Sequence, residues 1–160
     1  MRTTEQWLSE YGESHQNPFN KMVHWICVPC ILFSLIGLLW SVPPVFLQAI
    51  APRGYEPFFN WATLALSLAL LFYLRMSVVM AVGMLFICVL MIMGNYYLVQ
   101  ANFAPLWAIS LGIFAIAWVG QFYGHNVEGK KPSFLKDVQF LLIGPAWLLS
   151  FIYKKLGVKY

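Results

Sequence analysis

Charge is what this chain lacks. Only 10% of its residues are Asp, Glu, Lys or Arg, against roughly 25% in an ordinary soluble domain. None of the four occurs from Trp25 to Pro52, from Pro57 to Leu74 or from Met76 to Val127. A water-soluble fold of this size needs a charged shell that the chain cannot supply, and 61% of its residues are apolar. These absences define an integral membrane protein. No arginine-rich or aromatic-basic stripe is present, so nucleic acid is not expected as a partner. Repeats and low-complexity tracts are also absent. No small-x-small cleavage site follows the first apolar stretch, which is therefore read as a retained span and not a signal peptide. The whole chain, 1–160, is read as a single membrane domain.

Cysteine is scarce too: Cys27, Cys30 and Cys88. Cys27-Val-Pro-Cys30 matches C-x-x-C, but it lacks the βαβ setting that gives that motif redox meaning. Small apolar residues inside a membrane helix are the favoured reading, and no disulfide framework is implied.

Five apolar segments are present, at about 19–41, 57–74, 76–100, 105–124 and 134–153. The first stops at Pro43-Pro44, which cannot continue a helix. If the first four cross in succession, Arg2, Lys21, Arg75, Lys130, Lys131 and Lys136 share one side, and the other side carries only Arg53. The positive-inside rule puts the richer side in the cytoplasm. A fifth crossing would carry Lys154, Lys155 and Lys159 outside, against this bias. That segment also contains Asp137 and Gly144-Pro145, and a proline frees a backbone carbonyl that lipid cannot satisfy. The expected fold is therefore all-α, with four transmembrane helices plus a bent re-entrant or interfacial C-terminal helical segment; a fifth crossing is the alternative. Trp7, Leu8 and Tyr11 fit a short N-terminal helix that either anchors at the interface or packs on the helix ends.

What the chain does have is polarity at the ends of its spans. All three histidines, His15, His24 and His125, sit there beside amides or acids. Asn17-Pro18 reads as a cap with proline in the first helical turn. That break frees His15 to fold toward the face that carries Asn20 and His24, which lie at i and i+4. In one unbroken helix His15 and His24 would point nearly opposite ways. His125 and Glu128 share a face if their helix persists one more turn, the reverse of the Glu-x-x-His spacing of bundle metal sites.

Each histidine alone has an ordinary interfacial explanation. Three of three on one expected face point to a divalent-metal site with ligands His15, His24 and His125, and the lack of a thiolate ligand leaves iron open. Glu128 either ligates or orients a histidine. Asn20 and Glu128 are the candidate catalytic residues. Lys130 and Lys131 are candidates for an anionic substrate head group, although lysines flanking a cytoplasmic helix end need no further reason.

The run Tyr11-x-x-x-His15-x-Asn17-x-x-Asn20-Lys21-x-x-His24-Trp25-x-x-x-Pro29 and the later Gly124-His125-x-x-Glu128-Gly129-Lys130-Lys131-Pro132 resemble the signatures of a small membrane-protein family. Its fungal members are endoplasmic-reticulum 2-hydroxy fatty acid dioxygenases of phytosphingosine breakdown. The resemblance covers nearly the whole chain. It implies Fe(II)- and O2-dependent α-oxidation of a long-chain 2-hydroxy fatty acid to the acid one carbon shorter, beside membrane lipid. The family's histidines correspond to His15, His24 and His125, and Glu128 falls on the acidic position. Val127 stands where the fungal pattern has an aromatic, and the compact Glu-Gly-Lys-Lys-Pro form looks bacterial, which implies an inner-membrane protein with its site on the cytoplasmic face. From the residues alone, a membrane haem or electron carrier, a metal-dependent lipid hydrolase and a non-enzymatic scaffold remain alternatives.

Overall fold

The computed structural model describes residues 2–132 and 139–160. Lys136, Asp137 and the expected start of the last segment at Phe134 lie outside the described residues.

The described chain is all helix and turn. Thr3 caps α1 (Thr4–Gly12) through a reciprocal pair with Gln6. Asn17 Oδ1 accepts from Phe19 N at 2.8 Å, and Pro18 opens α2 (Pro18–Trp40), which continues through Pro29. A short α3 (Val45–Ala49) and a 3-10 turn at Glu56–Phe58 lead to α4 (Trp61–Met76). The remaining helices are α5 (Val78–Ala101), α6 (Leu106–Glu128) and α7 (Phe140–Leu156).

Two expected boundaries move for local reasons. The second span starts at Trp61 and not at 57, because Pro57 belongs to the 3-10 turn and Asn60 Oδ1 caps the helix by accepting from Ala62 N and Thr63 N. The break between the second and third spans falls at Ser77, which is extended and caps α5; Arg75 is still helical.

Helices α2, α5 and α6 are long and apolar enough to cross a membrane, and α4 is a shorter apolar helix. Its 16 residues extend about 24 Å, short of a hydrocarbon core of about 30 Å. Large apolar side chains such as Phe86, Ile116 and Val119 are exposed along the bundle. In water such a surface would drive aggregation; in lipid it is the ordinary outer face.

Where water is excluded, polar side chains tie helices together. Asn95 Nδ2 of α5 donates to the Phe33 carbonyl of α2 at 3.2 Å, a bond of the kind that joins membrane helices.

The α4–α5 corner organises one end of the bundle. Thr4 Oγ1 donates to Met76 O at 2.6 Å. Tyr73 OH donates to Leu142 O at 2.7 Å, and Tyr153 OH to Val79 O at 2.8 Å. Leu142 and Tyr153 stand near opposite ends of α7, yet both bond to this corner. Helix α7 therefore lies across the end of the bundle, and Lys154 and Lys155 stay on the side of Arg75. Ile143 to Ser150 of α7 are all buried. Leu8 and Tyr11 of α1 are buried against the same core, and Trp7 packs edge-on against Phe72 and Phe140. Of the two readings of the N-terminal helix, packing on the helix ends is the one observed.

Candidate metal centre

The end of α1 and the start of α2 make the turn that the histidines need. His15 N donates to Gly12 O at 3.0 Å, and the chain then reverses at Asn17-Pro18. His24 lies two turns into α2, and His125 on the last turn of α6. These two helices share the most extensive pairing in the fold. Their approach requires glycine at 124, where a Cβ would stand 2.5 Å from Asn20 Oδ1 and 3.2 Å from Val23 Cγ1.

His15, His24 and His125 are all buried. Their ring centroids are 4.2, 4.9 and 5.0 Å apart, and one ring nitrogen from each lies within 4.8 Å of the others. His15 Nδ1 donates to Tyr11 O at 2.6 Å, and His24 Nδ1 to Asn20 O at 2.8 Å. A carbonyl only accepts, so both Nδ1 atoms carry protons and both Nε2 atoms present lone pairs. Those two Nε2 atoms are 2.8 Å apart. Burial, and then the neighbouring His24, push the His15 imidazole down to about 3, so it is neutral at physiological pH. Two lone pairs so close repel each other unless a cation lies between them. Neighbouring nitrogens on one ion, each about 2.1 Å from it, stand about 3 Å apart. His125 Nδ1 is buried without a hydrogen-bond partner. Three imidazoles, two of them oriented by backbone carbonyls, fit a divalent cation. This is the one such cluster among the described residues.

Aromatic rings hold His15 in place. Tyr11 stacks on it at 4.2 Å and 12°, and Trp147 of α7 lies 5.2 Å away. Burial raises the Tyr11 phenol well above its ordinary value, so it stays protonated. Gly144 leaves the room that this phenol occupies, since a Cβ there would meet its oxygen at 3.0 Å.

Glu128 stands behind the histidines. Its Oε1 accepts from Gln16 N at 3.0 Å, and its Oε2 from Asn17 N at 2.8 Å and Asn20 Nδ2 at 3.1 Å. A carboxylate at the start of α2 also complements the helix dipole. These three bonds fix the turn that carries His15. Asn20 does the same from within the turn, through its carbonyl to His24 and through Nδ2 to Ser14 O at 3.2 Å. Lys130 Nζ donates to Glu13 O at 2.6 Å, tying the end of α6 to the end of α1, and Lys131 is exposed.

Two cavities meet at the histidines. The first, about 240 Å³, runs from His24 and His125 between α2, α4 and α6 and is almost wholly apolar. The second, about 480 Å³, is polar and reaches His15 from the other side, past Lys21 and Lys154. Lys130 and Lys131 line neither. Gln121, one turn before His125, lines the apolar cavity with its Oε1 buried and unpartnered. Sequence reading missed it, although its i, i+4 spacing from His125 was the available signal.

Residues 1–156 match the family described as Mpo1-like, 2-hydroxy-palmitic acid dioxygenase Mpo1-like. The chain is similar to the 2-hydroxy-palmitic acid dioxygenase MPO1 of Saccharomyces cerevisiae, with 30% identity over 152 residues, covering 94% of this chain and 79% of the yeast protein. No solved structure matches it. On this whole-length match, the chain belongs to the Mpo1-like family.

Proposed function

We propose that this protein is a non-haem iron dioxygenase that converts a long-chain 2-hydroxy fatty acid to the acid one carbon shorter. The observation that carries this reading is the three-histidine cluster, two of whose members, His24 and His125, line an apolar cavity. The name of the yeast relative supports the substrate class. The chemistry balances without an added reductant: R-CH(OH)-COOH and O2 give R-COOH, CO2 and H2O, the four electrons lost by the organic acid being those that O2 takes up.

His15, His24 and His125 would hold Fe(II), which when bound supplies O2 activation and a seat for the substrate's hydroxyl and carboxylate. The protein does the rest. Glu128 and Asn20 hold the His15 turn against α2. The Tyr11 and Asn20 carbonyls keep both Nδ1 protons in place, so that both Nε2 atoms stay available. Gln121 Oε1 accepts a hydrogen bond from the 2-hydroxyl. Lys21 and Lys154, which line the polar cavity, attract the carboxylate from water, and Lys130 and Lys131 add to the positive field from outside both cavities. The apolar cavity keeps water from the acyl chain. The basic residues collected at the histidine end support, through the positive-inside rule, a cytoplasmic site on what would be a bacterial inner membrane.

The test is to incubate Fe(II)-reconstituted protein with a 2-hydroxy acid and its unsubstituted counterpart, with and without O2. The chain-shortened acid and CO2 should form only from the hydroxy acid and only with O2. Chain-shortened acid formed without O2 would show that another oxidant drives the reaction and overturn the reading, as would equal turnover of the two acids.

A further inference from the structure

Beyond holding the substrate, the apolar cavity has a depth. Its lining follows α2 from His24 to Leu39, about 22 Å at about 1.5 Å per residue. On the facing helix α4 it is lined by Ala62, Ala65 and Ala69, whose small side chains leave the space open. The far end is closed. Ile36, Ala62, Leu66 and Cys88 form a packed cluster there. Beyond it the Trp40 ring lies 6.2 Å from Phe58, and Phe58 stacks on Tyr96 at 5.4 Å. The near end carries the polar side chains of His24, His125 and Gln121, beside Phe140 and Pro145 of α7.

We propose that this cavity is the acyl-chain site and that its packed far end, at Leu39 and Ala62, limits the length of the 2-hydroxy acid that the protein accepts. The proposal rests on the substrate reading above. Continuity with the histidines selects the occupant: a single chain whose head reaches the ligands, where a two-chain lipid would need to stay outside. An extended chain advances about 1.25 Å per carbon, from bonds of about 1.52 Å and angles near 111°. The cavity therefore holds about 18 carbons before the chain meets the floor.

The test raises the floor from two different helices. Ala65→Phe fills the space one turn above Ala62, and Leu35→Trp the space one turn above Leu39. Each removes about 4.5–6 Å of depth, or about four to five carbons. Binding of 2-hydroxy acids of about 10 to about 22 carbons is measured by displacement of a 2-hydroxy acid carrying a diazirine at its tail, with the cross-linked peptide identified by mass spectrometry. In the unaltered protein, affinity should rise with length to about 18 carbons and then fall, and the diazirine should mark peptides around Leu39 or Ala62. Both variants should peak about four carbons earlier with metal content unchanged. Folded, metal-replete variants that keep the original length profile would overturn the proposal, as would cross-links confined to the histidine end. Displacement by two-chain phospholipid as effectively as by the hydroxy acid would also overturn it. A length-limited profile in a protein that consumes no O2 with any of these acids supports the acyl site and rejects the dioxygenase reading alone.

Discussion

His15 Nε2 and His24 Nε2 face each other at 2.8 Å while the Nδ1 of each ring is bonded to a backbone carbonyl. Two Nε2 lone pairs at this distance fit a shared cation. Replacing any one of His15, His24 or His125 by Ala should therefore remove most bound metal while far-UV circular dichroism keeps its helical signal. Chelation should speed amide hydrogen exchange between Ser14 and His24, and added Fe(II) should reverse it. Full metal content in all three variants would rule out the centre.

Glu128 holds the turn that carries His15 through bonds to Gln16, Asn17 and Asn20, and in the proposed centre it would act through that turn. Glu128→Gln puts an amide donor against donors that the carboxylate now satisfies. Loss of such an orienting partner typically lowers metal affinity about 10- to 100-fold. The visible absorption bands of the Co(II)-substituted protein should keep their positions, because the ligand atoms are unchanged. A shift of those bands would instead show Glu128 bound to the metal.

Much of this was legible. Asn17-Pro18 announced both a helix start and the break that lets His15 turn back, because a cap and a proline act locally. Three charge-free stretches marked the spans for the same reason. The start of α4 was misplaced because Asn60 and Pro57 are both plausible beginnings, and only the hydrogen bonds of Asn60 separate them. The placement of α7 depends on Tyr73 and Tyr153 reaching carbonyls about 70 residues away, which no local pattern encodes. Gln121 looked like any polar residue in an apolar helix, and its importance comes from the cavity around it.

Gln121→Leu tests that importance. Removing one buried acceptor for the substrate hydroxyl should weaken binding of a 2-hydroxy acid up to about tenfold, the equivalent of about 1.4 kcal/mol. Binding of the unsubstituted acid should be unchanged or tighter, and metal content unchanged. Equal losses for both acids would show that Gln121 only packs the cavity wall.

Acid should destabilise the metal-free protein through His15. In the fold its imidazole is pushed down to about 3, from an ordinary value of 6.5. The unfolded chain thus takes up the proton first, so this contribution is intact above about pH 6.5 and lost as pH falls toward 3. Between pH 7 and 4, the thermal midpoint of the chelated protein should fall more steeply than that of His15→Phe. Parallel curves for the two proteins would contradict the assignment.

The bonds from Gln16 and Asn17 to Glu128 join residues more than 100 positions apart, and that separation bears on biogenesis. Helices enter the bilayer in order of synthesis, so α2 arrives with His15, Asn20 and His24 already at the membrane edge and nothing yet to receive them. Those groups remain hydrated until α6 emerges with Gly124, His125 and Glu128. Only then can the two helices close against each other, and a metal that enters at that moment stabilises the assembled form alone. Supply of the proposed metal would in this way act on the yield of folded protein during synthesis, before any substrate is met.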